Sequence, residues 1–406
     1  MNETNVKKNG DTRANGTRFN GSRFVKPREI TRLRGSLDRP LLILIILMLS
    51  FGLVMVFSAS YAEALTKKGD SYYYIKRQLA FSLGGIALML IVSLIDYRLY
   101  KNIAVPLFIG VSILLVLTPI YGFARGIARR WIYIGPVRLQ PSELMKATLV
   151  FMLAWYFSVN QDRICDYTDF RRSSRYGILI PYIIVAFVCF LILVENHFSC
   201  LILMFIIGTI IIFVGGGRKM WFAVAGGVGI AAIGLLISVS SYARSRLGAF
   251  LHPENYSADD ELYQSLQGLY AVGSGGFLGV GLGNSRQKHL FVSEPQNDFI
   301  FSIICEELGF VGALAVILLF LLFIIRGVQI AMRAPDTFSS LVAVGLTGKV
   351  AAQAFLNMAV VTGMAPNTGI SLPFFSYGGT ALLVQLAEMG VLLSISRYTV
   401  KDELSE

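Results

Sequence analysis

Charged residues and cysteine are both scarce in this chain, and each scarcity excludes a class of protein. Only 15% of the 406 residues are charged while 55% are hydrophobic, a balance too apolar for a soluble globular domain. The few cysteines lie far apart, without CxxC spacing or companion histidines, so they predict neither a disulfide framework nor a zinc site; they are Cys165, Cys189, Cys200 and Cys305. Lipid is therefore the expected solvent for most of the chain.

An apolar stretch is also missing from the amino-terminal segment, residues 1–39. This segment is polar and holds ten Lys or Arg against four acidic residues, the composition of a disordered basic tail. It lacks the short apolar region and the cleavage site of a secretory signal peptide. The net charge of +11 is concentrated here, so we expect it to reflect membrane topology rather than binding to nucleic acid.

Apolar runs long enough to cross a bilayer recur along the rest of the chain. A hydrocarbon core ~30 Å thick takes about 20 residues of helix. The runs predict an all-α integral membrane fold of about ten transmembrane helices, at roughly 40–60, 78–95, 103–121, 143–159, 177–194, 198–215, 220–240, 299–325, 339–362 and 374–396. The expected organisation is a basic cytoplasmic tail (1–39), a polytopic membrane domain (40–397) and a short cytoplasmic tail (398–406).

One long segment, residues 241–298, separates the seventh and eighth predicted spans. Loops of this length in a compact protein are usually functional or disordered. This one contains Phe250, Tyr263, Tyr270 and Phe277 among other apolar residues, which favours folding over disorder. We therefore expect a folded extracellular loop that covers one end of the helix bundle.

Positive charge collects in alternate loops, and the Lys/Arg-rich side of a membrane protein faces the cytoplasm. With ten spans, both termini are then cytoplasmic and the protein is a multi-pass protein of the cytoplasmic membrane. Two loops on the opposite side break the pattern, with Lys67, Lys68, Lys76 and Arg77 in one and Arg125, Arg129, Arg130 and Arg138 in the other. Either these charges are merely solvated, or they form an outward-facing anion site.

Four stretches on the predicted outer side carry polar residues where helices meet loops. They are "RRWIYIGPVRLQPSELMK" (129–146), "LQGLYAVGSGGFLGVGLGNSRQKHL" (266–290), "SEPQNDFIFSIICEELGFVG" (293–312) and "GMAPNTGISLPFFSYGGTALL" (363–383). Glu143 and Lys146 share a helical face and form at least an ion pair. The glycines permit close backbone approach and anion-binding nests. Asp298 lies at a loop–helix junction, as a helix cap or as a functional acid.

These stretches, in this order, resemble the SEDS family (shape, elongation, division and sporulation), in particular its FtsW and SpoVE members, over residues 40–397. The most specific matches are "GSGGFLGVGLGNSRQK", "FFSYGGTALL" and "QPSELMK". The resemblance implies a peptidoglycan glycosyltransferase that polymerises lipid II outside the membrane. It also implies a class B penicillin-binding protein and other division proteins as partners, an essential Asp at Asp298, and a divalent cation, Mg²⁺ or Mn²⁺, whose ligands are not indicated.

The sequence departs from the family in two places. Residues 195–200 read Glu-Asn-His-Phe-Ser-Cys where the family motif resembles Pro-Asp-x-Gly-Thr, so the role of that motif does not transfer and His197 is expected to be a structural or surface residue. Gln296 and Asn297 precede Asp298, whereas many members have His-Thr there. The Asp itself is retained.

Glycan polymerisation assigns tasks to the candidate residues. Asp298 is the expected general base toward a sugar hydroxyl, and outer cations stabilise the departing pyrophosphate; the candidates are Arg129, Arg130, Arg138, Arg244, Arg246, Arg286 and Lys288. We expect Glu143 and Lys146 to shape the cavity floor and Ser376 to line its wall. Lys349 and Glu388, each ~20 Å from the outer end of its helix at 1.5 Å per residue, are expected to form a buried pair.

Two other function classes compete with polymerisation. Ten spans with interior charges also describe a lipid flippase or transporter, although no internal repeat is apparent. A non-catalytic scaffold would leave Asp298 and the outer arginines unexplained. The motifs leave division, elongation and sporulation open, and "GVGLGNSRQK" favours division.

Overall fold

The computed structural model describes residues 35–124, 130–134, 137–165, 169–195, 197–252, 261–289, 291–292 and 294–398. Most of the predicted tails, residues 1–39 and 398–406, therefore lie outside the described residues. Arg125 and Arg129 also lie outside them.

The described chain is almost entirely helical, which confirms the all-α membrane fold. The helices are α1 (Arg39–Lys68), α2 (Tyr73–Leu94), α3 (Tyr97–Ala124), α4 (Pro141–Val159), α5 (Gln161–Ile164), α6 (Phe170–Ser174), α7 (Ile180–Val194), α8 (Phe198–Val214), α9 (Met220–Val239), α10 (Ser241–Leu251), α11 (Glu261–Ser274), α12 (Ile300–Met332), α13 (Thr337–Val361) and α14 (Gly379–Ser396). A π-helical turn (Arg175–Leu179) joins α6 to α7. A short hairpin joins β1 (Ile132–Ile134) to β2 (Val137–Leu139), with Tyr133 opposite Arg138.

Helices occur at all ten predicted span positions. Within the described ranges, eight of them are long and apolar enough to cross a membrane. The other two are α8, which is 17 residues long, and α4, which carries Glu143 and Lys146 in its first two turns. The number of spans thus stays a prediction, whereas the multi-pass architecture is shown.

Two local features were not foreseen from the sequence. The first span was predicted at roughly 40–60, and its helix, α1, continues to Lys68. Its last turns are polar yet helical because Lys67 lies 2.8 Å from the Glu63 carboxylate one turn earlier, an arrangement that stabilises helix. The β1–β2 hairpin was not expected at all.

The polar stretches identified in the sequence meet at one end of the bundle. The β1–β2 hairpin contacts the start of α14, because the Thr380 hydroxyl donates to the Arg138 carbonyl at 2.7 Å. Helix α10 reaches the loop between α13 and α14, because Arg246 donates to the Asn367 carbonyl at 2.9 Å. We call this end the loop face; among the described residues it is formed by 130–134, 137–140, 241–252, 261–289, 291–292, 294–299 and 363–378.

Helix α12 is interrupted near the loop face at Gly309, whose φ of 64° and ψ of −160° are not helical. The glycine-rich segment, residues 275–281, fills the interruption. The amides of Val280 and Gly281 donate to the carbonyls of Glu306 and Glu307 at 2.9 and 3.0 Å. A break in a membrane helix is tolerated when protein groups satisfy the freed backbone in this way.

The glycines of this segment are explained by close approach. A Cβ on Gly275 would collide with the carbonyl of Cys305, and one on Gly279 with that of Glu307. The structure does, however, correct the expectation of an anion-binding nest in this segment. The amides of residues 280 and 281 point at helix carbonyls, so they do not face an anion.

Lys349 on α13 and Glu388 on α14 form the expected pair. The Lys349 ammonium donates to the Glu388 carboxylate, and also to the Gln385 side-chain oxygen at 3.0 Å. Both side chains are buried, at 1% and 3% exposure. The prediction from depth along the two helices is confirmed, and the pair ties α13 to α14.

Neutralising one partner should therefore be costly. We expect Lys349→Met or Glu388→Gln to lower the free energy of unfolding by roughly 3–5 kcal/mol, because each leaves one buried charge unpaired. The double swap, Lys349→Glu with Glu388→Lys, should recover part of the loss. Thermal unfolding of purified protein in detergent measures this, with Lys76→Met at an exposed ion pair as the control. Equal melting temperatures for Lys349→Met and the control would contradict the buried-pair energetics.

Candidate active site

The turn that delivers Asp298 to α12 is held by three hydrogen bonds. The carbonyls of residues 296, 297 and 298 accept, in order, from the Tyr377 amide at 2.8 Å, the Ser376 hydroxyl at 2.6 Å and the Asn357 side-chain amide at 2.7 Å. The donors come from α13 and from the loop that follows it. The backbone of the turn is thereby fixed from outside its own segment.

The carboxylate of Asp298 is half-buried at the loop face. Among the described residues it receives no hydrogen bond and forms no ion pair, while Arg246 lies within electrostatic range. Burial raises the pKa of Asp298 to about 6, the charge of Glu294 adds to the increase, and Arg246 opposes it. The carboxyl is therefore mostly ionised at pH 7 and able to take a proton.

Gly369 borders this carboxylate. Its φ of +67° favours glycine, and a Cβ there would lie 3.2 Å from Asp298 Oδ2. The residue before it, Thr368, accepts through its carbonyl from the Ser199 hydroxyl. The start of α8 and the α13–α14 loop thus meet beside Asp298, and the glycine keeps the space next to the carboxylate open.

Ser376 was expected to bind substrate, and its position corrects that expectation. It is 7% exposed, and its hydroxyl both donates to the Asn297 carbonyl and accepts from the Leu372 amide at 2.7 Å. The Ser376 carbonyl in turn accepts from Gln78 of α2 at 3.3 Å. The side chain is fully used inside the protein, where it positions the Asp298 turn.

Lys288 was expected to bind pyrophosphate, and the structure corrects this as well. Its side chain is fully buried and its ammonium lies 2.7 Å from Glu307 Oε1. It also lies 4.7 Å from the centre of the Tyr61 ring on α1. This cation neutralises an acid inside the broken helix and is not available to a ligand at the surface.

The other acid in α12, Glu306, has its hydrogen-bond donors in residues 285 and 286. Its carboxylate accepts from the Ser285 hydroxyl and, at 2.9 Å, from the Arg286 amide. Both acids that the sequence places inside a membrane helix therefore have partners in residues 285–288. The Arg286 side chain itself is exposed, so its predicted role in binding an anion stays a prediction.

The remaining candidate cations lie at different places on the loop face. Arg244 is exposed on α10 and donates to the Ser238 carbonyl. Arg130 is half-buried and donates to the Glu195 carbonyl at 3.4 Å. Arg138 is exposed on β2, and its guanidinium carbon lies 5.4 Å from the centre of the Tyr133 ring.

Glu143 and Lys146 form the expected intrahelical ion pair in α4, at 2.6 Å. Lys146 is 3% exposed and also lies 3.4 Å from Gln353 Oε1 on α13. The pair is thus part of the interior and packs against α13. A role in shaping the cavity floor stays a prediction.

The α7–α8 connection holds two titratable residues, Glu195 and His197, and burial disfavours the charged form of each. Glu195 is 1% exposed, and burial raises its pKa to about 8, against the opposing charge of Arg130. His197 lies 3.3 Å from the Gln140 side-chain nitrogen, and burial lowers its pKa to about 4. Both are therefore mostly neutral at pH 7. The burial of Glu195 was not foreseen from the sequence.

Asn357 was missed by sequence reasoning. It is 1% exposed within α13, and its side-chain amide donates to the carbonyls of Asp298 and Ile370 at 2.7 and 2.6 Å. An amide inside an apolar helix was the available signal, because polar groups in membrane spans are costly unless they have a function.

The described residues do not offer a ready-made site for the expected Mg²⁺ or Mn²⁺. No group of three His, Cys, Asp or Glu within the described ranges is arranged to hold a metal ion. Asp298 has Glu294 as its acidic neighbour, and Mg²⁺ is commonly held by one or two carboxylates together with water and substrate phosphates. The divalent cation therefore stays a prediction.

Sequence comparison places the chain among cell cycle proteins. A family model described as "Cell cycle protein", which covers FtsW, RodA and SpoVE, matches residues 39–401. Stage V sporulation protein E of Bacillus subtilis is 40% identical over 379 residues, 91% of this chain and 100% of that protein. A probable peptidoglycan glycosyltransferase FtsW of Trichlorobacter lovleyi is 39% identical over 362 residues, 88% of this chain and 93% of that protein.

Solved structures give the same relationship. A chain from a peptidoglycan synthase complex, described as coordinating polymerization and crosslinking, aligns with a TM-score of 0.71 at 25% identity, over 89% of this chain and 98% of its own length. The rod shape determining protein RodA of Thermus thermophilus aligns with a TM-score of 0.66 at 24% identity, over 90% and 99% of the two chains. At that identity, the likeness to RodA shows the fold.

The contacts of Asn357 predict a stability effect. Asn357→Leu should lower the free energy of unfolding by about 1–3 kcal/mol for each carbonyl left buried without a donor. Thermal unfolding in detergent measures the loss, with Thr362→Val as the control because Thr362 is exposed and its hydroxyl serves only carbonyls of its own helix. If the two variants melt at the same temperature, the Asp298 turn does not depend on Asn357.

Proposed function

The chain belongs to the FtsW, RodA and SpoVE family of cell cycle proteins, and from this membership we propose that it is a peptidoglycan glycosyltransferase of the cell membrane. It polymerises lipid II into glycan strands, with a role in cell division. The observation that carries the mechanism is the half-buried carboxylate of Asp298 at the loop face, unpaired within the described ranges, on a turn whose backbone carbonyls accept three hydrogen bonds from outside the turn.

Asp298 is the proposed general base. A sugar hydroxyl of one lipid-linked unit gives its proton to the Asp298 carboxylate while its oxygen attacks the anomeric carbon of another unit. The bond from that carbon to the polyprenyl pyrophosphate breaks, and the pyrophosphate leaves with the electron pair. The raised pKa, about 6, makes the carboxylate a better proton acceptor than an ordinary Asp while leaving it mostly ionised at pH 7.

Cations near the carboxylate support the departing pyrophosphate. Arg246 lies within electrostatic range of Asp298 and is fixed by its bond to the Asn367 carbonyl. A guanidinium held in this way stabilises developing charge without reorganising during the reaction. Arg130, Arg138, Arg244 and Arg286 are proposed as further pyrophosphate-binding residues, and Arg129 remains a candidate from the sequence alone.

The sidedness and the partners belong to the same proposal. The loop face is placed outside the cytoplasmic membrane and both termini in the cytoplasm, in agreement with the cationic alternate loops. A class B penicillin-binding protein and other division proteins are proposed partners, and the peptidoglycan synthase complex among the similar structures supports this. A requirement for Mg²⁺ or Mn²⁺ is proposed from the family resemblance alone, and the dependence of purified activity on added cation tests it.

The central test is Asp298→Asn, which keeps the size of the side chain and removes its charge. Because an amide cannot accept the hydroxyl proton, we expect glycan product from purified lipid II to fall by ~10²-fold or more. Thermal stability and membrane insertion should match wild type. Substantial polymer from a folded Asp298→Asn protein would return Asp298 to a structural role.

The pKa of Asp298 also predicts a pH profile. The base form is the deprotonated one, so the polymerisation rate should rise with pH through about 6 and level off above it. Measurement of kcat/KM between pH 5 and pH 8 tests this, with membrane insertion monitored at each pH. A flat profile across that range in folded protein would exclude a base that titrates near 6.

A further inference from the structure

The end of α1 and the start of α2 carry four cations, and they are not equivalent. Lys67 lies 2.8 Å from Glu63, and Lys76 lies 2.9 Å from Asp70. These two charges have counter-ions from their own segment. The other two cations are Lys68 and Arg77.

Arg77 is held without neutralising its charge. Its guanidinium carbon lies 4.4 Å from the centre of the Tyr73 ring. The guanidinium also lies within electrostatic range of the Tyr377 hydroxyl. Within the described part of the chain no carboxylate forms an ion pair with it. An arginine stacked on a ring keeps the edge of its planar fork available for bidentate bonds. Arg77 is exposed, so that edge faces the space outside the bundle.

Arg138 approaches the same tyrosine from the β1–β2 hairpin. It is exposed, it forms no ion pair with a carboxylate in the ranges described, and its charge also acts on Tyr377. The Thr380 hydroxyl fixes its backbone at 2.7 Å. Two guanidinium groups without counter-ions around one side chain repel each other, and a bound anion relieves that repulsion.

The arginine pair lies close to the proposed base. The Tyr377 amide donates to the Gln296 carbonyl at 2.8 Å, and Asp298 follows two residues later. The ring of Tyr74 lies 5.0 Å from that of Tyr377, and the Gly378 amide donates to Gln78 of α2 at 3.3 Å. Tyr377 and Gly378 thereby join the start of α2 to the Asp298 turn. Arg246 donates to the Asn367 carbonyl and lies within electrostatic range of the Asp298 carboxylate.

We propose that Arg77 and Arg138, both within electrostatic range of Tyr377, bind the pyrophosphate of the acceptor lipid, while Arg246 serves the pyrophosphate of the donor. This inference rests on the proposed polymerase function. The donor pyrophosphate is attached to the carbon under attack, so it must lie next to Asp298. The acceptor pyrophosphate is separated from the attacking hydroxyl by the sugars of its own unit, so it must lie farther away.

The test uses two analogues of lipid II that separate the subsites. One has its attacking hydroxyl methylated and can only donate; the other has a non-cleavable carbon link to its pyrophosphate and can only accept. Together they form a single coupled product. In Arg77→Gln we expect the KM for the acceptor analogue to rise about tenfold or more, with the donor KM and kcat within about twofold of wild type. Arg77→Lys should show part of the increase, because charge remains but the fork is lost.

The matched control is Lys76→Gln, which removes the neighbouring exposed cation that already has a carboxylate partner. It should leave both KM values unchanged. An unchanged acceptor KM in Arg77→Gln, an equal rise for donor and acceptor, or an equal effect of Lys76→Gln would each overturn the subsite. If Arg77→Gln does not fold, Arg77→Lys decides by the same criteria. Wild-type protein that couples neither the analogues nor natural lipid II would instead overturn the proposed function itself.

Discussion

The structure depends on one constraint: inside a membrane, every backbone group and every charge needs a partner from the protein. The interruption of α12 at Gly309 is the place where this constraint is hardest to meet. Residues 275–281 supply the missing backbone partners, and residues 285–288 supply partners for Glu306 and Glu307. Asp298 lies two residues before the start of α12, so the helix that these contacts hold together begins at the turn that carries the candidate base.

A second set of contacts runs along α13 at intervals of one helical turn. Lys349 binds Glu388 on α14, Gln353 donates to the Ser371 carbonyl at 3.0 Å, and Asn357 donates to the Asp298 carbonyl. Residues spaced by four lie on one face of a helix. One face of α13 therefore links charges buried in the bundle to the turn that carries the base. Polar contacts thus follow this face from the membrane interior to the reactive site.

The sequence was sufficient for the helices, the loop-face stretches and the Lys349–Glu388 pair, because length, hydropathy and depth along a helix are local properties. It was not sufficient for Lys288 and Ser376. Both were assigned to ligand binding from their charge or polarity. In the structure, the Lys288 ammonium pairs with Glu307 and the Ser376 hydroxyl donates to the Asn297 carbonyl. Asn357 was missed for the same reason, since its partner Asp298 lies 59 positions away. Long-range partners decide whether a polar side chain serves the fold or the chemistry, and one sequence does not show them.

The buried pair between Lys288 and Glu307 has a consequence for the biogenesis of the protein. As α12 leaves the ribosome and enters the bilayer, it brings Glu306 and Glu307 into an apolar phase, where each unpaired acid costs roughly 2.5–3.5 kcal/mol. The residues that satisfy them, Ser58 on α1 and the segment 285–288, stand earlier in the chain and have already been synthesised. The order of translation thus delivers the partners before the acids, so this span can be inserted without a long-lived exposed charge.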